Sequence, residues 1–467
     1  MASQVLIEVI RDVVNPFEVH ASALESTGEF NRQADEVLST IGPSGVTLDP
    51  TIAPVPMLLH AAPVPTLDRN TLQQLNTRGL ESARRPQSGS RLESTAATRS
   101  FGGRSTVVAA TVDEGRIAEL RKRPDILVWP NSELVLLDDT ATAARVDCRP
   151  FRAGVDLDTI RATLAVDRAW TDGFKGKDIV VGIIDEGVNG ATYPVSGGFS
   201  RPASPAQPGS AAVTSHGSMC AADVKVAAPD ARLYDYPFLG IPNSGGALQM
   251  FQAVLDQRLR DGTPHITNNS YGFTGVPDTA TFPNHEIHDI NHPLHRKVRE
   301  VIAAGVACLF AAGNCGGDCP SGNCQSSGIG AGQSIHASNS LAEVITVAAV
   351  NNSRERIGYS SQGPGMFERQ KPDIASYSHI FGNFGPGRPG GTAQPFDNGT
   401  SAATPVAAGV AAMLLSAFPG LTPAQLKDVL IRTAIGGGGW NADFGHGIID
   451  AGAAYNFLKT SPPPPIV

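Results

Sequence analysis

The stretch Asn398–Ser416, NGTSAATPVAAGVAAMLLS, gives the strongest indication of how this chain folds. From Ala402 onward it is almost wholly apolar, and its apolar residues surround the helix axis, which predicts a helix buried on all sides. Pro405 is expected in the first helical turn, where a helix tolerates proline. Ser401 then lies at the helix N-terminus, where free N–H groups and the helix dipole converge. Such a hydroxyl can attack a carbonyl beside an oxyanion-binding N–H group, although a residue that only caps the helix fits the same pattern.

Length and composition limit the classes of protein that this chain can represent. Its 467 residues suit two or more domains, and 41% hydrophobic with 17% charged residues is typical of a globular protein. A net charge of −8 argues against nucleic acid or an anionic membrane as the main partner. The N-terminal apolar run is broken by Glu8 and lacks a basic start, so it does not resemble a signal peptide. The N-terminal sequence fits a protein that stays in the cytoplasm, one that is exported by another route, or one whose leader is missing from this sequence.

Three polar residues upstream of Ser401 stand at the ends of predicted strands or at the start of a predicted helix. Asp185 ends the run 178–184, and a carboxylate at the end of a parallel strand faces the crevice where such sheets place ligands. His216 comes 31 residues later, before a predicted helix, and imidazole suits proton transfer near neutral pH. Asn314 follows a buried strand, where its amide can donate to an oxyanion. Taken singly, His216 fits a structural histidine among the 11 in the chain, and Asn314 fits a turn residue.

The motifs IIDEG, SHGS, AAGN and GTSAATP occur in this order and together resemble those of the subtilisin-like serine proteases, the subtilases. The order Asp, His, Ser is that of subtilisin and differs from the order in unrelated serine hydrolases. The resemblance implies that Ser401 attacks a peptide carbonyl, that His216 transfers its proton and that Asp185 orients His216. It also implies that Asn314 and the Ser401 N–H group bind the oxyanion. Glu186 departs from the family, which usually has Ser or Thr there.

The same resemblance implies where the substrate binds. The segment 270–272 lines one wall of the primary specificity pocket and pairs with the substrate backbone, 311–313 lines another wall, and 244–246 is the edge that pairs with the substrate strand. These walls are small, aromatic or apolar, which favours a hydrophobic or uncharged residue before the cleaved bond. The implied substrate-binding residues are Ser270, Tyr271, Gly272, Ala311, Ala312, Gly313 and Gly245.

Apolar runs that alternate with helical patterns predict an α/β layered fold with a central, mostly parallel sheet. Strands are expected at 178–184, 233–236, 265–269, 307–312 and 344–350, with helices at 219–224, 247–260 and 293–304 between them. The resemblance to a subtilase catalytic domain extends from Leu164 to about Phe457. The predicted division is a small α+β domain at 1–138, a junction or linker at 139–163, the catalytic domain at 164–458 and a Pro-rich tail at 459–467.

The N-terminal region has strand patterns at 4–10 and 106–112, helical patterns at 19–41 and 113–123, and another strand from Pro124. Residues 67–103 are polar and predict a mobile, disordered insertion. Residues 107–131 resemble the end of subtilase propeptides, which implies a folding chaperone whose C-terminal tail occupies the active site as an intramolecular inhibitor. An unrelated N-terminal domain is the alternative. The junction is expected in Asp138–Arg152, where no residue marks the scissile bond.

The cysteines, and the absence of the usual calcium-binding loop after His216, indicate which metal sites to expect. Cys220, four residues after His216, matches a free cysteine of proteinase K-like subtilases, which implies an unpaired thiol sensitive to mercurials. Four more cysteines cluster around Asn314, and one disulfide is favoured over free thiols or zinc. Only 12 residues separate His216 from Pro229, so the usual subtilase calcium site is expected to be absent, and no cofactor is predicted, although another calcium site fits. The clustered cysteines are Cys308, Cys315, Cys319 and Cys324, and Cys148 is expected to be free.

Together these observations predict a serine endopeptidase made as a self-processed proenzyme. Its expected partners are a protein or peptide substrate and its own N-terminal region, without nucleic acid or membrane. Two alternatives fit the same sequence: a dedicated processing protease for one precursor or partner protein, and a catalytically silent subtilase fold used for binding.

Overall fold

The computed structural model describes residues 2–10, 27–57, 105–137, 154–200, 204, 206–238, 243–278, 283–383, 396–436 and 439–460. The predicted insertion near 67–103, the start of the helix expected at 19–41, Cys148 and most of the Pro-rich tail lie outside these residues. The division at residue 138 stays a prediction for the same reason.

In the part of residues 2–137 that the structure describes, the N-terminal unit is an antiparallel sheet with two helices, as the α+β pattern predicts. Strand β1 is central, because β4 pairs along its whole length and β5 pairs on its other side. Its strand order is β2-β4-β1-β5, and β3 also pairs with β4. The strands are β1 (Ala2–Val9), β2 (Val46–Leu48), β3 (Val55–Met57), β4 (Ser105–Asp113) and β5 (Ile126–Pro130), and the helices are α1 (Thr27–Ile41) and α2 (Glu114–Leu120).

The C-terminal unit (residues 154–460) is built on a seven-stranded sheet, which confirms the predicted α/β layered fold. Every paired neighbour in this sheet runs parallel, and the strand order is β14-β13-β12-β10-β7-β9-β8. The strands are β7 (Val180–Asp185), β8 (Val195–Gly198), β9 (Arg232–Pro237), β10 (Ile266–Asn269), β12 (Ala307–Ala311), β13 (Ile345–Val350) and β14 (Ile374–Tyr377). Two short strands, β6 (Val135–Leu136) and β11 (Tyr271–Gly272), form a separate pair that joins the two units.

Helices cover both faces of the parallel sheet, so strands such as β7 are buried along their full length. One core lies between the sheet and α5 and α8, and the other lies between the sheet and α6 and α7. The helices are α3 (Leu157–Leu164), α4 (Asp167–Thr171), α5 (His216–Ala227), α6 (Ser244–Asp261), α7 (Pro293–Ala303), α8 (Thr400–Ala417), α9 (Pro423–Arg432) and α10 (Ala451–Thr460).

Helix α3 corrects the predicted linker at 139–163. The Asp156 side chain caps this helix by accepting a hydrogen bond from the Thr159 N–H group, and Ile160 and Leu164 are buried in the core. Val155 forms a parallel bridge to Ile380 just before it. Since both features belong to the packed C-terminal unit, that unit begins upstream of the predicted boundary.

Helix α8 is buried as predicted, but Pro405 is its sixth residue and does not lie in the first turn. Proline has no N–H group to donate to the Ser401 carbonyl one turn earlier. That carbonyl instead lies 3.3 Å from the Ser270 Oγ and 3.6 Å from the Cys220 Sγ. Among the described helices α8 alone is long and apolar enough to span a membrane, yet 89% of it is buried in this fold.

Candidate active site

Asp185 and His216 form a buried pair at the carboxyl end of the parallel sheet. Asp185 ends β7 and His216 begins α5, and neither side chain is more than 4% exposed. The His216 Nδ1 lies 2.8 Å from one Asp185 carboxylate oxygen and 3.0 Å from the other. The Glu186 N–H group donates to the same carboxylate at 2.8 Å. The carboxylate therefore fixes the imidazole ring and its Nδ1–H tautomer.

Glu186 has a defined place in this arrangement. Its carboxylate accepts a hydrogen bond from the backbone N–H group of His216, at the start of α5. An anion is stabilised there by the helix dipole, and it satisfies an N–H group that has no partner within the helix. Glu186, which stands where the family usually has Ser or Thr, thus gives His216 a second contact with a carboxylate.

Ser401 is fully buried at the second position of α8. Its hydroxyl donates to the Leu137 carbonyl oxygen, and the Ser270 carbonyl oxygen lies 3.4 Å away. Gly399 lies two residues before Ser401 and has a φ of +79°, a conformation that favours glycine. A Cβ atom at Gly399 would lie 2.8 Å from the Leu137 oxygen and 3.0 Å from the Asn314 Nδ2. Only a glycine therefore lets the chain approach this closely.

Asn314 contacts the same carbonyl from the other side. Its Nδ2 donates to the Leu137 oxygen. Its Oδ1 accepts hydrogen bonds of 2.9 Å from both the backbone N–H group and the hydroxyl of Thr400. Because Thr400 supplies two donors, the amide is oriented with its NH₂ group toward the carbonyl. Sequence reasoning did not identify Thr400, although it lies within the GTS motif.

The chain itself occupies the predicted substrate position. Strand β6 pairs antiparallel with β11, with Leu136 opposite Tyr271 and Val135 opposite Gly272. The Leu137 N–H group then donates to the Ser270 carbonyl at 3.0 Å. This ladder brings the Leu137 carbonyl between the Ser401 hydroxyl and the Asn314 amide. Sequence reasoning did not identify Leu137 as a site residue.

The two predicted pocket walls meet beneath the Leu137 side chain. Asn339, which the sequence prediction missed, donates from its Nδ2 to the Tyr271 carbonyl at 2.9 Å and to the Ala311 carbonyl at 2.8 Å. A Cβ atom on Gly272 would lie 3.5 Å from the Leu137 Cδ1 and 3.3 Å from the Asn339 amide nitrogen. Leu137 is only 3% exposed, so an uncharged leucine fills this space.

The predicted edge 244–246 is wrong in its backbone conformation. Gly245 lies in the first turn of α6, because the Asn243 side chain caps that helix by accepting from the Gly246 N–H group. The extended pairing occurs one step earlier, where Asn243 bridges to Glu133 in antiparallel fashion. Gly245 instead donates its N–H group to the Asn131 side-chain oxygen at 2.8 Å. It therefore contacts the N-terminal unit as part of a helix.

Cys220 is an unpaired, fully buried thiol, as predicted. Its Sγ lies 3.7 Å from an Asp185 carboxylate oxygen. Burial, together with the Asp185 charge, raises the pKa of this thiol well above its usual value. Within the described residues, Asp185, His216 and Cys220 are the group that comes close enough together to hold a metal ion. Two of these residues are already engaged with each other through the same atoms.

The cysteines beside Asn314 are disulfide-bonded. Cys315 and Cys324 form a disulfide, which confirms the prediction of a disulfide in preference to a zinc site in this cluster. Cys319 is disulfide-bonded as well, so the expectation of a single bond was too low. Cys308 is free and buried. The loop also donates the Ser321 N–H group to the Asn314 carbonyl at 2.9 Å, so the disulfide-bonded loop supports the residue that contacts the Leu137 oxygen.

Comparison with known proteins places this arrangement among related sequences and folds. The model of the subtilase family matches residues 176–447. Subtilisin E of Bacillus subtilis (strain 168) is 28% identical over 361 residues, which cover 74% of this chain and 80% of subtilisin E. Serine protease AprX of the same organism is 28% identical over 341 residues, which cover 65% of this chain and 68% of AprX.

One solved structure extends the likeness in fold to nearly the whole chain. The crystal structure of fervidolysin from Fervidobacterium pennivorans, a keratinolytic enzyme related to subtilisin, matches with a TM-score of 0.55 at 16% identity. The match covers 98% of this chain and 61% of the fervidolysin chain.

Proposed function

This chain belongs to the subtilase family and is a subtilisin-like serine endopeptidase, and from this premise we propose that Asp185, His216 and Ser401 are its catalytic triad. The Ser401 hydroxyl attacks the peptide carbonyl carbon while His216 accepts the hydroxyl proton. His216 then gives that proton to the leaving amine, and an acyl-enzyme remains. Water, deprotonated by the same imidazole, hydrolyses the ester and restores Ser401. Asp185 holds the ring and stabilises its positive charge, and the hydrogen bonds of 2.8 and 3.0 Å support this role.

Asn314 and the Ser401 N–H group are proposed to bind the oxyanion. In the transition state the carbonyl oxygen gains negative charge, and donors already aimed at it lower the barrier. The contact between the Asn314 amide and the Leu137 oxygen supports this assignment, because that oxygen belongs to an extended peptide beside the Ser401 hydroxyl.

The first substrate of the enzyme is proposed to be its own Leu137–Asp138 peptide bond. The observation that carries this proposal is the Leu137 carbonyl, which contacts both Ser401 and Asn314 while Leu136 pairs with Tyr271. Attack on that carbonyl would leave Leu137 as the acyl group and free the amine of Asp138. The N-terminal unit, still bound through the β6–β11 pair, would then act as an intramolecular inhibitor and make the chain a self-processed proenzyme.

The occupied pocket also supports a substrate preference. The Leu137 side chain fills the space between Gly272 and the walls joined by Asn339. Protein substrates are therefore expected to be cut best after leucine or a residue of similar size. We propose no metal or cofactor for this chemistry.

Replacing Ser401 tests the proposal directly. Intact-mass analysis of the wild-type protein should give one fragment that ends at Leu137 and one that begins at Asp138. Ser401→Ala should stay full length and hydrolyse no peptide. Ser416→Ala is the matched control, because this serine lies at the other end of α8, where its hydroxyl accepts the Gly176 N–H group at 3.2 Å and donates to the Met413 carbonyl at 2.7 Å. Processing of Ser401→Ala at the same bond would overturn the assignment.

The alternative of a catalytically silent binding protein is separated by covalent labelling. A fluorophosphonate should label wild-type protein at Ser401 once the N-terminal unit has left, and should not label Ser401→Ala. An unlabelled wild-type protein with an accessible site would favour the binding protein.

A further inference from the structure

The surface that receives the N-terminal unit carries an unusual concentration of histidine. Within the described residues, five of the chain's 11 histidines lie in or beside the segment 284–296, together with the fully buried Glu286. These histidines are His285, His288, His292, His295 and His336. None of them takes part in the proposed catalytic chemistry.

Two of these histidines, with Glu286, hold the N-terminal unit directly, and we call His285, Glu286 and His292 the histidine clasp. Glu286 accepts the Ser132 N–H group at 3.1 Å and the Ser132 hydroxyl at 2.9 Å. The His285 Nε2 lies 2.9 Å from the same hydroxyl. Since that hydroxyl donates a hydrogen bond to Glu286, it accepts a hydrogen bond from the His285 Nε2–H group.

His292 holds the preceding strand, β5. Its Nε2 lies 3.1 Å from the Pro130 carbonyl oxygen, which can only accept, so this nitrogen carries a proton. Its ring packs edge-on against Trp129, with ring centroids 5.7 Å apart. Nearby, the Asn284 Nδ2 donates to the Val128 carbonyl at 2.7 Å. The clasp therefore binds the end of β5 and the segment that leads from it to Leu137.

The hydrogen bonds of the clasp fit neutral imidazoles, each of which donates from Nε2 and accepts at Nδ1. The His292 Nδ1 accepts the Leu294 N–H group at 3.3 Å, and the His285 Nδ1 accepts the Ile287 N–H group at 3.2 Å. A second proton on Nδ1 would face an N–H donor and remove that hydrogen bond, a loss that the Glu286 carboxylate, 3.3 Å from the His285 Nδ1, offsets in part. Protonation is therefore disfavoured in the docked arrangement, where the contacts to Ser132 and Pro130 fix the orientation of both rings.

We infer that the histidine clasp makes docking of the N-terminal unit acid-sensitive, so that mild acidification loosens this unit from the active site. This inference rests on the proposed role of the N-terminal unit as an inhibitor. Its partner is the chain's own segment 128–132, recognised by neutral imidazoles and one carboxylate.

The direction of the effect follows from burial. Burial, partly offset by Glu286, lowers the pKa of His285 and of His292 in the docked state. Burial acts to raise the pKa of Glu286, but the charges that His292 and His285 carry when protonated, together with the Ser244 hydroxyl, outweigh it and lower that pKa. Once undocked, exposed imidazoles return toward their ordinary pKa of about 6.5. Docking is therefore strongest above this pH and weakens as pH falls, by about tenfold per histidine for each pH unit.

Other ionisable groups around the clasp either are paired or keep their surroundings on undocking. Glu8 pairs with Arg296, and Glu343 pairs with Arg299. His295 lies within the C-terminal unit, where it contacts Ser338 and the Glu286 carbonyl. The groups that face His285 and His292 are Glu286, His288, Asp289, His295, Arg296 and His336.

The test uses the full-length Ser401→Ala chain, so that neither cleavage nor activity enters the readout. Hydrogen exchange of the amides in 128–137 is measured from pH 7.5 to 5.5 and corrected for intrinsic exchange. We expect protection to fall at least tenfold over this range, with about two protons taken up. His285→Gln/His292→Gln should abolish the pH dependence, and His446→Gln, beside Asp373, is the control histidine that should leave it unchanged.

If the double variant fails to dock even at pH 7.5, the single variants decide. Each should then remove about one of the two protons from the pH dependence. Equal protection at both pH values, or a fall that persists in the variants, would overturn the inference. A wild-type protein that undocks in acid but cuts no peptide would instead refute the proposed protease site and leave the clasp intact.

Discussion

At the scale of single residues, the amide of Asn314 is oriented by Thr400, which supplies two donors of 2.9 Å to its oxygen. The NH₂ group is therefore committed to the substrate carbonyl before any reaction occurs. Such preorganised donors contribute most to catalysis when they cannot rotate away.

Asn314→Leu should lower kcat by about 10²–10³-fold with little change in KM, because it removes a donor used mainly in the transition state. That magnitude is the one found for the equivalent donor of subtilisin. Steady-state kinetics on a leucine-containing peptide would measure the loss. Thr400→Ser keeps the hydroxyl that contacts the amide and should stay close to wild type. A loss below tenfold for Asn314→Leu would argue against the oxyanion role.

A buried carboxyl pair links the His216 helix to the segment that precedes Ser401. Asp223 in α5 and Asp397 are both fully buried. A Cβ atom on Gly382 would lie 2.7 Å from an Asp223 oxygen and 2.8 Å from an Asp397 oxygen, so the two carboxyls face each other. Burial first, and the Asp397 charge second, raise the pKa of Asp223 well above its ordinary value. The pair therefore holds a proton that the unfolded chain would release.

Because the folded pKa of Asp223 exceeds its unfolded value, its stabilising contribution is complete only below about pH 4 and is lost as pH rises through the folded pKa. Asp223→Asn, whose amide can donate to Asp397, should remove this loss. In the Ser401→Ala background we expect its Tm to exceed that of the parent by roughly 2–4 °C at pH 8 and by less at pH 5. A Tm difference between variant and parent that is the same at pH 5 and at pH 8 would contradict the shared proton.

The site residues that sequence reasoning found are those whose side chains are proposed to do the chemistry. Asp185 and Asn314 follow apolar runs, and His216 and Ser401 stand at the start of helical patterns, so local pattern marks all four. Leu137 acts through its backbone carbonyl, an atom that every residue has, and no pattern distinguishes it. Asn339 joins two walls through carbonyl groups of distant strands, and its partners become visible only in the folded chain.

At the scale of elements, the site depends on close packing of α5 against α8. Gly409 in α8 faces the backbone of Val224 in α5, and a Cβ atom there would overlap the Val224 carbonyl oxygen. Since His216 begins α5 and Ser401 lies near the start of α8, this contact sets the spacing between these two members of the proposed triad.

Gly409→Ala should therefore push the two helices apart. We expect a destabilisation of about 1–3 kcal/mol from overpacking, together with a fall in kcat because the imidazole and hydroxyl lose their alignment. Gly420→Ala is the matched control, since a Cβ atom there meets nothing within 4 Å. Chemical denaturation and steady-state kinetics give both values. Wild-type stability and kcat in Gly409→Ala would show that the helices do not set the spacing.

The elements themselves were largely predictable, whereas several of their ends were not. Continuous apolar runs predicted β7, β9, β10, β12 and β13, because helices bury both faces of the sheet, whereas β8 and β14 were not predicted. Helix α6 begins at Ser244 because the Asn243 side chain caps it, and α3 begins at Leu157 because Asp156 caps it. A capping side chain looks like a loop residue until its hydrogen bond is seen, so the start of α6 was placed three residues too late and α3 was missed within the predicted linker.

At the scale of the whole molecule, charged groups are buried between the two units. Glu8 of β1 lies 2.6 Å from Arg296 of α7, and both side chains are 2% exposed. The Trp129 indole donates to the same carboxylate at 3.0 Å. Lys297 donates to the Pro56 carbonyl at 2.7 Å. Docking therefore depends on fully satisfied polar contacts as well as on apolar packing.

Glu8→Ala should leave the Arg296 guanidinium buried without its carboxylate. Breaking such a pair from one side costs about 3–5 kcal/mol, so the N-terminal unit should undock at neutral pH. Hydrogen exchange of the β1 amides in the Ser401→Ala chain would report it. Glu119→Ala removes an exposed ion pair within the N-terminal unit and should change little. Unchanged β1 protection in Glu8→Ala would mean that other contacts hold the units together.

The Leu137 carbonyl reaches Ser401 while Val155, farther along the same chain, is already anchored at Ile380. In the proposed self-processing, enzyme and first substrate are one molecule, and the maturation reaction is unimolecular. Its half-time would not depend on how dilute the protein is, so a single copy that folds in isolation carries everything needed to mature.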